Sequence, residues 1–300
     1  MTRHYNLLLS YTWEYDQEFA ERVKIIFNKL GLSVLVFTDN EIESTKTLIE
    51  SEQISFDAYL DRASDVDERY EPIAILLSKT NTYLINPQKV AEKVIDKGYM
   101  HNEALKAGLP LPLSYIIPPL DEQKDYYISE NILNDIGKPF VVKPCFHTGG
   151  GEGVLKNATH LYDIIQSRGN LPEDSYLIQK KIYPATFFDK RAWFRILWAF
   201  GDIYISWWDD ERFIYQEITN EEYECLKLSR LEEISRKFSG LCGLDYFSTE
   251  AAITESGDIF VIDYVNDQCD FRLKNNHPDG VPEAIVDGFI YSLIKNILKV

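Results

Sequence analysis

The sequence is poor in several things that would each have pointed to a function. It has four cysteines, Cys145, Cys225, Cys242 and Cys269, and no two of them form a C-x-x-C pair. This argues against a zinc site and for reduced thiols in a reducing compartment. Bases are scarce, with 31 Lys and Arg against 48 Asp and Glu, giving a net charge of −17. Such a surface repels nucleic acid and anionic membranes, so any anionic ligand must be held by a local cluster of bases. The amino terminus, MTRHYNLLLSYTW, has no apolar stretch of signal-peptide length. The most apolar late segment, AIVDGFIYSLIKNILKV, is interrupted by Asp287, Lys295 and Lys299, which suits an amphipathic closing helix and not a membrane span. A cytoplasmic location is therefore expected. Neither G-x-G-x-x-G after the first strand nor G-x-x-x-x-G-K-[ST] occurs, and no Ser-His-Asp or Cys-His set stands out.

Against these absences stands a hydrophobic content of 45% over 300 residues, enough for two or three packed lobes. The first 86 residues alternate. NLLLSYTW reads as a strand, DQEFAERVKIIFNKLG as a helix stopped by Gly31, and LSVLVFT and FDAYLDRA as further strands. DERYEPIAILLSKT then reads as a helix and TYLIN as a short strand, so a small parallel α/β lobe is expected. Residues 87–108 are helical in pattern, with Pro87 at the start and Gly108 at the stop. LPLPLSYIIPPL then punctuates the chain and opens a new lobe, and ENILNDIGK reads as ordinary helix and turn.

Three later stretches carry chemistry. In PFVVKPCFHTGGGEGV an apolar strand ends on Lys143 and Pro144, and a glycine-rich loop follows. A lysine leaving a β-core needs an anion to meet it, and glycines let backbone N–H groups approach phosphate. A hairpin turn beside a surface lysine is the plain alternative. In RAWFRILWAFGDIYISWW, a hairpin turning at Gly201-Asp202, Arg195 lies inside a strand and calls for an anion or an internal acid. In GLDYFSTEAAITESGDIFVIDYVNDQCDFR, a hairpin turning at TESGD carries Glu250 near the start of one strand and Asp263 near the end of the other, bringing both to one end of a sheet. Asn266 and Asp267 follow, and such hard oxygen ligands suit Mg²⁺, especially where phosphate completes the shell. A polar strand end facing water is the alternative.

Taken in order, INPQKVAEKVIDKGYMHNEALKAGLPLPLSY, KPFVVKPCFHTGGGEGV, YLIQKKI, WFRILWAFG, GLDYFSTEAAI and IFVIDYVND resemble the ATP-grasp superfamily, over about residues 82–270. The type is that of glutathione synthetase-like carboxylate–amine ligases. The resemblance implies an α/β and α+β ATP-grasp fold with a Rossmann-like lobe before it. The expected division is 1–86 for that lobe, 87–176 for the lid subdomain and 177–300 for the carboxy-terminal subdomain. It implies ATP with Mg²⁺, or Mn²⁺ in its place, carboxylate and amine or thiol substrates, small molecules or peptides, and a homodimer as one form of assembly. By position, Lys97 and Lys143 would reach the nucleotide phosphates. Thr148, Gly149, Gly150, Gly151 and Gly153 would form a flap over them, and Gln179, Lys180, Lys181 and Ile182 a hinge beside adenine. Arg195 would hold the transferred phosphate, and Glu250, Asp263 and Asn266 the metal. Arg272 and Lys274 are candidates for acceptor binding, with solvated surface bases as the equal alternative.

Two departures from the pattern matter. Asp263 and Asn266 stand three apart where the family commonly has Glu-x-Asn, so either the strand bulges or Asp267 takes part. Trp193 replaces a common Asp two residues before the strand arginine. The implied reaction is ligation through an acyl phosphate. A kinase acting on a polyol or inositol phosphate, and a non-catalytic nucleotide-binding protein, are the other two classes this sequence admits.

Overall fold

A computed structural model describes residues 2–124, 126–146 and 151–299 of the chain. The amino-terminal lobe runs β1 (Arg3–Tyr11), α1 (Asp16–Lys29), β2 (Val34–Phe37), α2 (Ile42–Glu50), β3 (Ile54–Arg62), α3 (Glu71–Leu77) and β4 (Tyr83–Ile85). Its strands form one parallel sheet in the order β2-β1-β3-β4. The hydrophobic LLL of β1 is buried throughout, as a strand covered on both faces requires. α2 is the element of this lobe that the sequence reading did not identify. Its IESTKTLIE carries four β-branched residues, a weak signal for a helix.

Residues 87–108 form two helices and not one, α4 (Gln88–Val94) and α5 (Lys97–Lys106). The break has a local cause. Asp96 is extended, and its carboxylate accepts from the backbone N–H of Gly98 and of Tyr99, capping α5 afresh. The next unit comprises β5 (Ser114–Ile117), α6 (Glu130–Ile136), β6 (Phe140–Pro144), β7 (Leu155–Ala158), α7 (Leu161–Asn170) and β8 (Tyr176–Lys180). Its antiparallel sheet has the order β5-β8-β6-β7. A division of the chain after residue 176 would therefore cut into β8, which is bonded on both sides within this sheet.

A short ribbon, β9 (Thr186–Phe187) and β10 (Lys190–Arg191), leads into the carboxy-terminal unit. There β11 (Trp193–Ala199), β12 (Asp202–Asp209), β13 (Ile214–Gln216), α8 (Asn220–Cys225), α9 (Ser229–Cys242), β14 (Tyr246–Ile253), β15 (Ile259–Asn266) and α10 (Glu283–Ile297) follow. The antiparallel sheet has the order β13-β12-β11-β14-β15. The β11–β12 turn is made by Phe200 and Gly201, both at positive φ, so Asp202 is already in the ladder.

The amino-terminal lobe shares a core with this last sheet. Leu7, Leu9, Phe19, Val23 and Phe27 pack in one cluster with Leu197, Tyr246, Phe271 and Phe289. Polar fastenings cross the same boundary. Asn86, at positive φ, donates to the carbonyl of Tyr246 over 2.7 Å and accepts from the N–H of Asp245 over 2.9 Å. Arg62, at the end of β3, donates twice to Asp16 at 2.9 Å and once to the carbonyl of Cys269 at 2.9 Å, with its guanidinium 5.5 Å from the centre of the Phe19 ring and 5.1 Å from that of Phe271.

That pair is almost fully buried, with 2% and 3% of the two side chains exposed, so removing one partner strands the other's charge in the interior. Asp16→Ala is expected to lower unfolding stability by about 3–5 kcal/mol in urea titration. A loss below about 1 kcal/mol would contradict the reading of this pair as desolvated and needed to hold Arg62 in the interior.

Candidate functional site

The site lies where β6 of the middle sheet meets β15 of the last one. Lys143 is on β6, opposite Leu177 of β8, and only 5% exposed. Its Nζ donates to the carbonyl of Ile262 over 2.7 Å and lies 5.6 Å from the centre of the Tyr264 ring. Lys97 is the first residue of α5 and is also buried; its Nζ stands 3.5 Å from a carboxylate oxygen of Asp263. The helix break after α4 is what turns Lys97 toward β15. Two lysines from separate elements thus converge on one strand.

The strand register assembles the remaining groups. Arg195 of β11 lies directly opposite Glu250 of β14, and Glu250 directly opposite Asp263 of β15. Directly opposed residues point to the same face of a sheet, so the three side chains share one face. Glu250 and Asp263 pair within their strands, not at strand ends as the sequence suggested. Arg195 donates to Glu250, as does the indole N–H of Trp193 over 2.9 Å. The guanidinium lies 4.6 Å from the ring of Trp208 and 5.9 Å from that of Tyr215, which fixes its plane. Its buried Nε has no hydrogen-bond partner among the described residues.

Asn266 poses the question raised by its spacing from Asp263. In a regular strand, residues three apart face opposite ways. Here the ladder is irregular between Ser248 and Glu250 and again between Glu250 and Ala251, so that Ser248 opposes Asn266 while Glu250 opposes Asp263. Ser248 and Glu250 are two apart on their own strand and share a face. Asn266 therefore shares it with Asp263, and the bulged strand supplies what the usual spacing gives elsewhere.

The electrostatics follow from the burial. Burial pushes Lys143 down to about 8, with Asp263 opposing the shift and Lys97 adding to it. Burial also works against the charge of Asp263, but Lys97, Lys143 and Arg195 outweigh it and hold that carboxyl below the usual carboxylate range. Among the described residues no three His, Cys, Asp or Glu side chains are grouped to hold a metal by themselves. Two carboxylates and an amide on one face fit a hard cation such as Mg²⁺ whose other ligands are phosphate oxygens and water.

Of the other expected residues, Thr148, Gly149 and Gly150 lie outside the described residues. Gly151 and Gly153 both have positive φ, and a Cβ on Gly153 would meet the ring of Pro144 at 3.0 Å, so the loop returns against the end of β6. Gln179 is buried and lies opposite Val141, so it shares a face of its sheet with Lys143. Lys180 is exposed, Lys181 donates to Asn157, and Ile182 packs on the core shared with the first lobe. Arg272 and Lys274 are taken up within the chain. Arg272 pairs with Asp270 and Asp279 and lies over Trp13 and Tyr15, while Lys274 donates to the carbonyls of Tyr215 and Pro278. Neither placement leaves an obvious cation for an acceptor, and both fit a role in holding the 270–281 segment.

Sequence reasoning missed His101. It lies one turn after Lys97, is buried, and its Nδ1 is 2.7 Å from the hydroxyl of Tyr264, which also receives the Gln179 amide over 3.3 Å. Burial lowers its pKa to about 4, with Lys143 adding to the effect, so the imidazole is neutral at pH 7. The one signal available was a histidine on the inner face of a helix, four residues from a lysine already singled out.

A lysine whose folded pKa lies below its unfolded value costs stability while it is charged. The cost applies in full at pH values below about 8 and fades as pH rises toward the ordinary lysine value of 10.5. Lys143→Met is therefore expected to raise unfolding stability near pH 7 by about 1–3 kcal/mol. The advantage should shrink between pH 8 and the unfolded-state pKa. Chemical denaturation across that range checks it, and a variant less stable than the parent at pH 7 would contradict it.

No family model and no curated protein matches the chain in sequence. Solved structures match it in shape. A D-alanine–D-alanine ligase from Bacillus anthracis complexed with ATP superposes with a TM-score of 0.64 at 18% identity, covering 99% of this chain and 98% of that one. The ATP-grasp ligase PsnB, complexed with a minimal precursor, Mg and ADP, gives 0.63 at 15% identity, covering 95% and 97%. A RimK domain ATP-grasp protein from Sphaerobacter thermophilus gives 0.60 at 18% identity, covering 96% and 98%. Over nearly its whole length, the chain has the ATP-grasp fold.

Proposed function

We propose that the protein is an ATP-dependent ligase that joins a carboxylate to an amine through an acyl phosphate, releasing ADP and phosphate. The observation that carries this reading is the convergence of Lys97, Lys143 and Arg195 on Glu250 and Asp263. Three bases and two acids at one junction suit a ligand that brings both polyanion and cation. The nucleotide-bound ligases of the same fold support the same reading.

Each residue has a part in this reaction. Lys97 and Lys143 bind phosphate oxygens and neutralise their charge. Glu250, Asp263 and Asn266 hold magnesium, which supplies Lewis-acid neutralisation of the phosphates when bound. Arg195, its plane fixed by Trp208 and Tyr215, directs its donors at the phosphoryl group being transferred. A carboxylate oxygen of the acceptor forms a bond to the γ-phosphorus as the bond to the bridging oxygen of ADP breaks. The amine then attacks the acyl carbon, a C–N bond forms, and phosphate leaves with the oxygen it gained. The proton lost by the amine goes to phosphate or water. Positioning and charge neutralisation supply the catalysis, and no side chain forms a covalent bond.

The reaction class is testable without knowing the amine. With a carboxylate acceptor and ATP, and no amine, hydroxylamine should trap a hydroxamate. Label from an ¹⁸O-carboxylate should appear in the released phosphate. A stable phosphoester with no free phosphate would instead indicate a kinase. No turnover with a panel of carboxylates, despite tight nucleotide binding, would favour a binding protein.

A further inference from the structure

Glu250 is held by two donors, one on each carboxylate oxygen. Arg195 donates to Oε1, and the indole N–H of Trp193 donates to Oε2 over 2.9 Å. Trp193 stands two residues before Arg195 on β11 and lies opposite Ala252, so its side chain shares the face that carries Arg195 and Glu250. It is only 9% exposed, and its ring belongs to the apolar cluster that includes Ala252, Trp208 and Tyr215, so packing sets the direction of the N–H. An indole has one donor and no charge. The bond to Glu250 is the only one this donor makes among the described residues, and a buried N–H that gave it up would be left without a partner. Arg195 differs: its guanidinium is charged, forms an ion pair only with Glu250 among the described residues, and has an unpartnered Nε besides. An aspartate at 193, as the ATP-grasp pattern commonly has, would bring a second negative charge beside Glu250 in place of a donor.

We propose that Trp193 is a positioning residue for Glu250: when Arg195 turns to phosphate, the indole keeps Oε2, so Glu250 stays in place and presents Oε1, the oxygen Arg195 releases, to the cation. The proposal rests on reading the cleft as an ATP site and Glu250 as a metal ligand. The two donors respond differently to the ligand for a physical reason. A phosphate oxygen offers a guanidinium a charge-assisted bond, about twice as strong as one between neutral groups. It offers an uncharged indole less, and the packed ring is not free to follow it. A cation in turn favours the oxygen that faces no hydrogen, because the positive end of the N–H dipole repels it. Without the indole, Glu250 would have no donor once Arg195 had moved, and could turn away from the metal. Hydrogen-bond partners of metal-binding carboxylates are typically worth about 10- to 100-fold in metal affinity.

Calorimetric titration of the intact protein with a non-hydrolysable imido analogue of ATP, in excess Mg²⁺ and separately in EDTA, decides it. The parent should bind the analogue more tightly with Mg²⁺. Trp193→Phe keeps a packed ring and removes the N–H, and about 10- to 100-fold of that gain should be lost. Its affinity in EDTA should be unchanged, because without a cation Arg195 remains on Glu250 and holds it. A merely structural role for the indole would weaken binding under both conditions alike. If Trp193→Phe does not fold, the indole N–H resonance of Trp193 in the parent serves instead. It should stay protected from exchange with deuterated water when Mg²⁺ and the analogue are added. An unchanged Mg²⁺-dependent gain in Trp193→Phe, an equal loss with and without Mg²⁺, or an indole that loses its protection would overturn the proposal and leave the metal seat standing. A parent that gains nothing from Mg²⁺ would overturn the metal reading and the proposal with it.

Discussion

Charge balance at the junction of β6, α5 and β15 is the constraint on which the site depends. Lys97, Lys143, Arg195, Glu250 and Asp263 are buried or half-buried, and none of these charges could remain there alone. The protein solves this by pairing them, Arg195 with Glu250 and Lys97 with Asp263, while Lys143 is bonded to a backbone carbonyl. Each member of these pairs is also the group suited to a ligand of opposite charge. Acids meet a cation and bases meet a polyphosphate, so metal and nucleotide arriving together can replace both internal pairs at once. Either alone would leave half of the charges uncompensated. Lys97, Lys143 and Arg195 form such a local cluster of bases in an otherwise acidic chain.

The rest of the fold keeps these groups in register. The last sheet aligns Arg195, Glu250 and Asp263 across three neighbouring strands, and the two irregularities beside Glu250 bring Asn266 round to the same face. The first lobe is fixed to that sheet by a shared apolar core and by Asn86, while the buried Arg62–Asp16 pair lies within the lobe. Arg62 also bonds the carbonyl of Cys269, so it anchors the segment that leaves β15. A lobe remote in sequence thereby stabilises the end of β15.

Much of this was legible in the sequence, and the failures have physical causes. Lys143 at a strand end, the hairpin bearing Glu250 and Asp263, and the strand arginine are local signals, because side-chain alternation fixes their faces. The shared face of Asp263 and Asn266 was left open between a bulge and a part for Asp267, because a bulge depends on the partner strand. Arg272 and Lys274 looked like free cations because their partners include Asp279, Tyr215 and Pro278, which only the folded loop brings to them. His101 went unnoticed because its partner, Tyr264, lies 163 residues away. The split of residues 87–108 into two helices turned on a single cap at Asp96. Pattern reading thus recovered the elements and the charged groups, while pairings across lobes required the fold.

The central claim is that one cluster of internally paired charges is the shared seat of metal and nucleotide. A crystal structure with magnesium and a non-hydrolysable ATP analogue tests it most directly. The account expects Lys97, Lys143 and Arg195 to be bonded to phosphate oxygens, and Glu250, Asp263 and Asn266 to be ligands of the cation. A nucleotide bound elsewhere, or one bound here with the Arg195–Glu250 and Lys97–Asp263 pairs intact and no cation on the carboxylates, would contradict it.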